Sequence, residues 1–185
     1  MNPFEIYTDR LLIRNLLVSD LEAFLAYRSD PEVARYQGFE PFDLDRAKEF
    51  ILENAEKTIG MLGEWVQFAI ELNPTKQLIG DCAIKISADD HRLGEVGITI
   101  SPTFQKSGYA KETLTAIVDY LFSLDDFHRI TERVAPENTA SVRLLESLGF
   151  RKEGHFIENV FLKGRWQSEL QFALLRKEWE EQSKS

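Results

Sequence analysis

The residues with the clearest chemical use form a short turn between a predicted strand and a predicted helix. They are Gln105, Lys106, Ser107, Gly108, Tyr109 and Ala110. The first N–H groups of a helix have no internal acceptor, and the helix dipole places positive charge there, so such a turn suits an anion such as phosphate. Gly108 would let a ligand approach the backbone without a Cβ in the way. An ordinary connection with Ser107 as the helix N-cap is the alternative.

Two spaced motifs resemble the signatures of one enzyme superfamily. Gln105–Ala110 resembles the Q/R-x-x-G-x-G/A signature of the GNAT acyl-CoA N-acyltransferases, and the stretch from Asn138 to Phe150 resembles their second signature, N-x-x-[AS]-x-x-x-x-x-x-x-G-F. The opening Thr8–Arg14 and the closing Leu174–Trp179 resemble the RimJ/RimL branch, the ribosomal-protein N-terminal acetyltransferases. The likeness extends over nearly the whole chain.

The resemblance implies acetyl-CoA as the co-substrate and assigns a place for it. Backbone groups around Ile98 and Ile100 would pair with the pantetheine arm as an added strand would. The N–H groups of residues 105–110 would hold the pyrophosphate, helped by Lys106 and Lys111. The Asn138 side chain would contact the arm, and a plain N-cap role is its alternative.

The sequence departs from the family pattern at two places. Lys106-Ser107 stands where the branch commonly has Gly-Lys, so the basic residue is shifted by one position. Leu145 stands where many members have a tyrosine that protonates the leaving thiolate, which leucine cannot do. Ser141 lies one helical turn earlier on the same face and is the candidate acid, directly or through water. A small residue that permits close helix packing explains Ser141 as well.

Glu95 is the candidate general base. On its strand it shares a face with Gly97, so a carboxylate lies beside a notch left by a missing side chain. Deprotonating an alkylammonium at pH 7 requires about 4–5 kcal/mol, whereas an α-amine requires only about 1 kcal/mol. A weak, water-mediated base is therefore sufficient for a peptide N-terminus, and a polyamine needs more help. A solvated strand residue is the alternative for Glu95.

The surrounding elements predict a single α/β (α+β) domain, residues 1–185, with the GNAT fold. Its sheet should be mixed and mostly antiparallel, with about seven strands flanked by helices and splayed in the middle to hold acyl-CoA. The strand before the turn alternates apolar and polar residues with a period of two, and the helix after it has one apolar stripe. Residues 31–42 are aromatic and look irregular, and within them Tyr36 and Phe39 either line the amine cleft or pack in the core.

Composition limits the partners. A net charge of −9 argues against nucleic acid and favours a cationic second substrate. The sequence contains no membrane span or disulfide framework, and three scattered histidines give no metal-ligand spacing. We therefore expect a cytoplasmic protein without a metal, either a monomer or a homodimer.

Two rivals to a protein N-terminal acetyltransferase stay open. The amine could be a small molecule such as a polyamine or an aminoglycoside, because fold does not settle that choice. Alternatively, the chain could be a catalytically silent acyl-CoA-binding module, because Leu145 cannot protonate the leaving thiolate as a tyrosine would.

Overall fold

A single sheet organises the chain. The computed structural model describes residues 4–182, so residues 1–3 and 183–185 of the predicted domain lie outside the described part. Within it, eight strands follow the order β1-β2-β3-β4-β5-β6-β8-β7. The strands are β1 Glu5–Tyr7, β2 Leu11–Asn15, β3 Trp65–Leu72, β4 Gln77–Ile86, β5 Leu93–Ile100, β6 Arg129–Val134, β7 Arg151–Leu162 and β8 Arg165–Leu175. The mixed, mostly antiparallel sheet is confirmed, with β1 as an additional short edge strand.

Six helices flank this sheet in the described chain. They are α1 Leu21–Arg28, α2 Pro31–Ala34, α3 Leu44–Ala55, α4 Tyr109–Ser123, α5 Thr139–Ser147 and α6 Arg176–Gln182. The irregular conformation predicted for residues 31–42 is wrong at its start. Asp30 caps α2 by accepting a 2.8 Å hydrogen bond from the Glu32 N–H, and Pro31 stands at the first helical position, where its missing N–H is tolerated.

The middle of the sheet opens between β5 and β6. These two strands are parallel and pair only from Leu93 to Glu95, whereas the other neighbouring strands are antiparallel. Beyond Glu95, β5 stays paired with β4 and β6 stays paired with β8. The two halves of the sheet therefore separate, as the family resemblance implies, and leave backbone groups facing an open cleft.

Helix α4 is held against the sheet by its apolar stripe. Leu114, Ile117, Val118 and Leu121 are each at most 2% exposed and pack in the larger of two core clusters. Burying each such side chain contributes about 1.5–3 kcal/mol, so the start of α4 is fixed relative to β5. The predicted strand–turn–helix unit is confirmed, and its turn lies at the mouth of the cleft.

On the other side of the sheet, α1 is attached to β4 by a buried ion pair. The Arg28 guanidinium donates two hydrogen bonds to the Asp81 carboxylate, one of them 3.0 Å long from Nε, and Asp81 is fully buried. Tyr27 and Gln67 also donate to that carboxylate. The ring of Phe39 lies 4.2 Å from the Arg28 guanidinium carbon. This network fixes the segment that leads from α1 towards the cleft.

A hairpin closes the opposite side of the cleft. Lys163 and Gly164 form its turn with φ of +53° and +76°, and Leu162 pairs with Arg165, so the predicted hairpin is confirmed. The Lys163 ammonium donates a 2.6 Å hydrogen bond to the carbonyl of Ala34 in α2. The β7–β8 hairpin and the α2 segment therefore meet over the cleft. None of the described helices combines the length and apolar character that crossing a bilayer requires.

Candidate active site

Two adjacent cavities occupy the opening between β5 and β6. The loop cavity, ≈ 480 Å³, lies against the 104–111 turn, and the strand cavity, ≈ 290 Å³, lies between the separated strands. The residues that line both are Tyr36, Gln37, Ile98, Asn138, Ser141 and Leu144. Because six residues line both cavities, the two cavities lie next to each other along β5, from the turn to the separated strands.

The turn presents a row of unpaired N–H groups to the loop cavity. Gly108, with φ +83°, is the N-cap of α4 and offers no side-chain hydrogen bond, so the alternative of Ser107 as N-cap is wrong. The N–H groups of residues 107–111 have no acceptor within residues 4–182. The positive end of the helix dipole, Lys106 and Lys111 lie at the same cavity, an arrangement that suits an anion.

Arg10 supports this turn from behind. Its Nη1 donates to the Ser107 carbonyl at 3.1 Å, and its guanidinium carbon lies 4.5 Å from the centre of the Tyr109 ring. Glu112 holds Arg10 through Nε at 2.6 Å and also accepts from Thr8. Partial burial acts to raise the pKa of Glu112, but these hydrogen bonds outweigh it and hold the pKa below its usual value.

Asn138 and Ser141 lie on the wall that the two cavities share. The Asn138 Oδ1 accepts a hydrogen bond from the Ser141 N–H at 3.3 Å. Asn138 is therefore the N-cap of α5, which is the alternative role predicted for it from the sequence. Its Nδ2 and the Ser141 hydroxyl have no hydrogen-bond partner in the described chain. A capping role thus leaves one amide donor and one hydroxyl free for a ligand. Leu145, one turn further, is 2% exposed and lines the strand cavity.

The strand wall is formed by β5. Ser101 donates its N–H to Ile79 on the β4 side, so the alternation of a strand turns the backbone of Ile98 and Ile100 towards the cleft. The Gln105 Nε2 already donates to the Ile100 carbonyl at 3.0 Å, and the Gln105 N–H donates to Pro102 at 3.3 Å. Gln105 therefore supports the turn internally, while Ile98 keeps its backbone groups open to the cleft.

Glu95 lies at the point where β5 and β6 separate. Its carboxylate accepts a 2.9 Å hydrogen bond from the Lys85 ammonium across the β4–β5 pair, and its side chain is 39% exposed. Glu95 is not among the described residues that line the two cavities. A proton from either cavity therefore reaches Glu95 through water or another side chain.

Sequence reasoning did not identify the acidic residues of the strand cavity. Glu132 of β6 and Glu169 of β8 both line it, together with Arg133. Burial raises the pKa of the Glu132 carboxyl well above its usual value, and the charges of Glu95 and Glu169 add to this effect. A signal was present, because Ile130, Glu132 and Val134 alternate and place a carboxylate at an apolar position of the strand.

The two aromatic residues predicted to bind substrate are separated by the fold. Tyr36 lines both cavities, from the segment after α2. Phe39 packs instead against Phe42, with ring centroids 5.3 Å apart, and against Arg28 in the second core cluster. Tyr36 is therefore placed to touch a ligand, whereas Phe39 supports the segment that carries it.

The structure offers few groups for other chemistries. Cys82 is fully buried, and burial raises the pKa of its thiol well above the usual value, so it is not a thiolate nucleophile. Among residues 4–182, no cluster of three His, Cys, Asp or Glu side chains is arranged to hold a metal ion.

The comparison with known families decides the classification of this site. A model described as an acetyltransferase (GNAT) domain matches residues 10–151. The chain belongs to the GNAT acetyltransferase family. Uncharacterized N-acetyltransferase p20 of Bacillus licheniformis is 32% identical over 175 residues, which cover 94% of this chain and 97% of p20. This GNAT chain is an acyltransferase, and acetyl transfer to an amine is the reaction it shares with its relatives.

Two relatives name a substrate. The spermidine N(1)-acetyltransferase of Vibrio cholerae is 30% identical over 175 residues, covering 92% of this chain and 95% of that enzyme. The [ribosomal protein uS5]-alanine N-acetyltransferase of Escherichia coli is 26% identical over 180 residues, covering 93% and 91%. The names of these relatives cover a polyamine and an alanine of a ribosomal protein. The sequence leaves open a protein N-terminal amine, a polyamine, an aminoglycoside or another small amine.

Solved structures agree with the fold. A GNAT acetyltransferase from Bacillus anthracis has a TM-score of 0.85 and 30% identity, covering 95% of this chain and all of that one. Spermidine N-acetyltransferase from Vibrio cholerae, solved with CoA and spermine, has a TM-score of 0.78 and 28% identity, covering 94% and 99%. The GNAT fold predicted from the motifs is confirmed.

Proposed function

We propose that this chain transfers the acetyl group of acetyl-CoA to a primary amine that enters the strand cavity as a cation. The observation that carries this proposal is the row of unpaired N–H groups at residues 107–111. They lie at a cavity that shares lining residues with the one between β5 and β6. The chain's net charge of −9 would repel a pyrophosphate at long range, so local donors must supply the attraction.

In this proposal the loop cavity holds the diphosphate and the pantetheine arm follows β5 towards the strand cavity. The N–H groups of residues 107–111 and Lys106 hold the phosphates, and backbone groups of Ile98 pair with the arm. The free Nδ2 of Asn138 donates to the arm, since the same side chain caps α5 through its oxygen. The thioester would then lie beside Ser141, where the two cavities join.

The amine reacts by direct attack on the thioester in a ternary complex. A carboxylate near the opening of the sheet takes up the released proton. The predicted base, Glu95, would accept it only through water, because Lys85 holds its carboxylate and it lines neither cavity. Ser141 or a water molecule protonates the departing sulfur. Holding both substrates in one cleft converts a bimolecular encounter into an oriented one, which supplies much of the rate.

A small cationic amine fits the cavity best. Glu132 and Glu169 outnumber Arg133 among its charged lining residues, and the contact between Lys163 and Ala34 bounds it on the outside. The spermidine acetyltransferase relative supports a polyamine-like substrate. The uS5-alanine acetyltransferase supports the RimJ/RimL-like alternative, a protein N-terminal α-amine, as the second candidate. A cytoplasmic location and a monomer or homodimer remain predictions.

Thiol release from acetyl-CoA in the presence of spermidine, an aminoglycoside or a peptide with N-terminal alanine tests this function. We expect release that depends on one of these amines, with the acetylated product visible by mass spectrometry. Saturable CoA binding without turnover on any amine would instead leave the silent acyl-CoA-binding module, the alternative that Leu145 keeps open.

Replacing Ser141 by alanine is expected to lower kcat by roughly 10²-fold or more, since removing a positioned proton donor has effects of about that size. The KM for acetyl-CoA should change little, because the arm is held by backbone and Asn138. Val142→Ala, at the next position of α5, is the control. A Ser141→Ala enzyme as fast as the parent would show that water protonates the thiolate.

A further inference from the structure

One carboxylate of the strand cavity has no partner. Glu169 has two partners there, since its Oε2 lies 3.8 Å from the Arg133 Nη1 and accepts a 2.6 Å hydrogen bond from Asn159. Glu132 has no hydrogen bond or ion pair to any residue in the described part of the chain. Because solvent still reaches Glu132 through the cavity, its charge is available to a ligand that enters.

The position of Glu132 gives it no evident structural use. It pairs across the sheet with Phe172, which is fully buried, and it alternates with Ile130 and Val134 of the core. A carboxylate at such a position opposes folding unless a cation meets it. The α5 wall of the same cavity carries Asn138, Ser141 and Leu145, none of which is charged.

We propose that the Glu132 carboxylate receives the ammonium group of the amine substrate in the strand cavity and takes its proton. This inference rests on the proposed acetyl transfer and adds a catalytic residue to it. Glu132 lines the cavity beside the wall where Ser141 stands, whereas the predicted base, Glu95, is held by Lys85 outside the cavity lining.

The charges around Glu132 suit a proton acceptor. Its pKa is raised by burial, by Glu95 on β5 and by Glu169 on β8, while Arg133 on β6 is engaged with Glu169. A carboxyl whose pKa lies closer to neutrality takes a proton from an amine at a lower free-energy cost than an ordinary one. In a cavity from which water is displaced, desolvation disfavours the charged forms, so proton transfer from the ammonium to the carboxylate becomes easier.

The proton balance of the step is simple. The ammonium gives one proton to Glu132, and the neutral nitrogen attacks the thioester carbonyl carbon. As the C–N bond forms and the C–S bond breaks, the nitrogen loses a second proton, which ends on the CoA sulfur through Ser141 or water. Glu132 then returns its proton to solvent. Glu95 acts through Glu132 as a positioning residue, since its charge keeps the proton affinity of Glu132 high.

Glu132→Gln in the full-length chain, assayed with spermidine and with an N-terminal alanine peptide, tests the proposal. We expect kcat to fall by about 10²–10⁴-fold, the range for general base catalysis, with the KM for acetyl-CoA unchanged. Glu137→Gln, an exposed glutamate on the connection after β6, is the control and should behave as the parent. Glu132→Asp should recover part of the rate. A Glu132→Gln enzyme within threefold of the parent overturns the proposal.

The pH profile separates Glu132 from Glu95. At saturating amine, the acidic limb of kcat should lie above the usual carboxyl range and be lost in Glu132→Gln. Glu95→Gln should keep the limb and move it to lower pH, because it removes a negative charge that raises the Glu132 pKa. The limb should stay in place for amines of different pKa. A limb that follows the amine, or that only Glu95→Gln abolishes, would contradict the assignment.

Thermal unfolding supplies a readout that needs no amine. A folded-state pKa above the unfolded one means that Glu132 loses stability as pH rises between the two values. Glu132→Gln should therefore raise the Tm by about 2–4 °C at pH 8, with a difference that shrinks at acidic pH. No difference at either pH overturns the proposal. Glu132→Gln could raise the Tm as expected while the parent protein binds CoA but acetylates no amine. That result would show that the proposed acetyl transfer is wrong, and the assignment of Glu132 as its base would be wrong with it.

Discussion

Replacing Asp81 by asparagine is expected to lower the free energy of unfolding by about 3–5 kcal/mol, the effect of leaving one partner of a buried ion pair uncompensated. Arg28 is 3% exposed and would keep its charge against a neutral amide. For a chain of this size the Tm should fall by about 6–20 °C, measured by calorimetry. Because the pair attaches α1, the loss should also loosen the Tyr36 segment at the cavities.

The exposed pair between Arg46 and Glu49, 2.8 Å apart, is the matched control. Arg46→Gln should change stability by no more than about 1 kcal/mol, since exposed ion pairs contribute little. Replacing Arg28 and Asp81 together by methionine and leucine should recover much of the loss, because no unpaired charge then stays buried. An Asp81→Asn protein as stable as Arg46→Gln would show that the pair does not hold α1.

Replacing Gly108 by valine is expected to raise the Kd for CoA by about 10²-fold or more. Gly108 has φ +83°, a conformation that costs a residue with a Cβ roughly 1–2 kcal/mol. The added atoms would also stand at the N–H groups that hold the diphosphate, and the Cβ would lie 3.3 Å from the Arg10 Nη2. Equilibrium titration with CoA measures the change.

Gly164→Val is the control for backbone strain alone. Its φ of +76° is nearly the same, and nothing lies within 4 Å of the position of its Cβ. It should lose a similar amount of stability and bind CoA as the parent does. Equal CoA affinity in Gly108→Val and Gly164→Val would show that the turn is not part of the CoA-binding site.

The turn and its flanking elements could be predicted because their signals are local. A period of two in β5, a period near 3.6 in α4 and Gly108 between them determine the unit from neighbouring residues alone. The second signature likewise predicts α5, with Asn138 as its N-cap. The prediction of a splayed sheet came from the family resemblance, because no local sequence pattern indicates it.

The remaining parts of the site depend on contacts between residues far apart in the chain. Arg10 meets Glu112 across 102 positions, and Lys163 meets Ala34 across 129, so no local pattern predicts either contact. The alternation of Ile130, Glu132 and Val134 places Glu132 on the apolar face of its strand, but it does not show that this face lines a cavity. Its environment follows only from the pairing of β6 with β8 and from the separation of β5 and β6.

Calorimetric titration of the purified chain with CoA tests the central claim most directly, since every step above requires the diphosphate to be held by the main chain at residues 107–111. We expect one saturable site per chain. The affinity for CoA should weaken as the salt concentration rises. It should be lost when pantetheine, which lacks the diphosphate, replaces CoA. Absence of saturable binding, or equal affinity for a ligand without the diphosphate, would contradict the account.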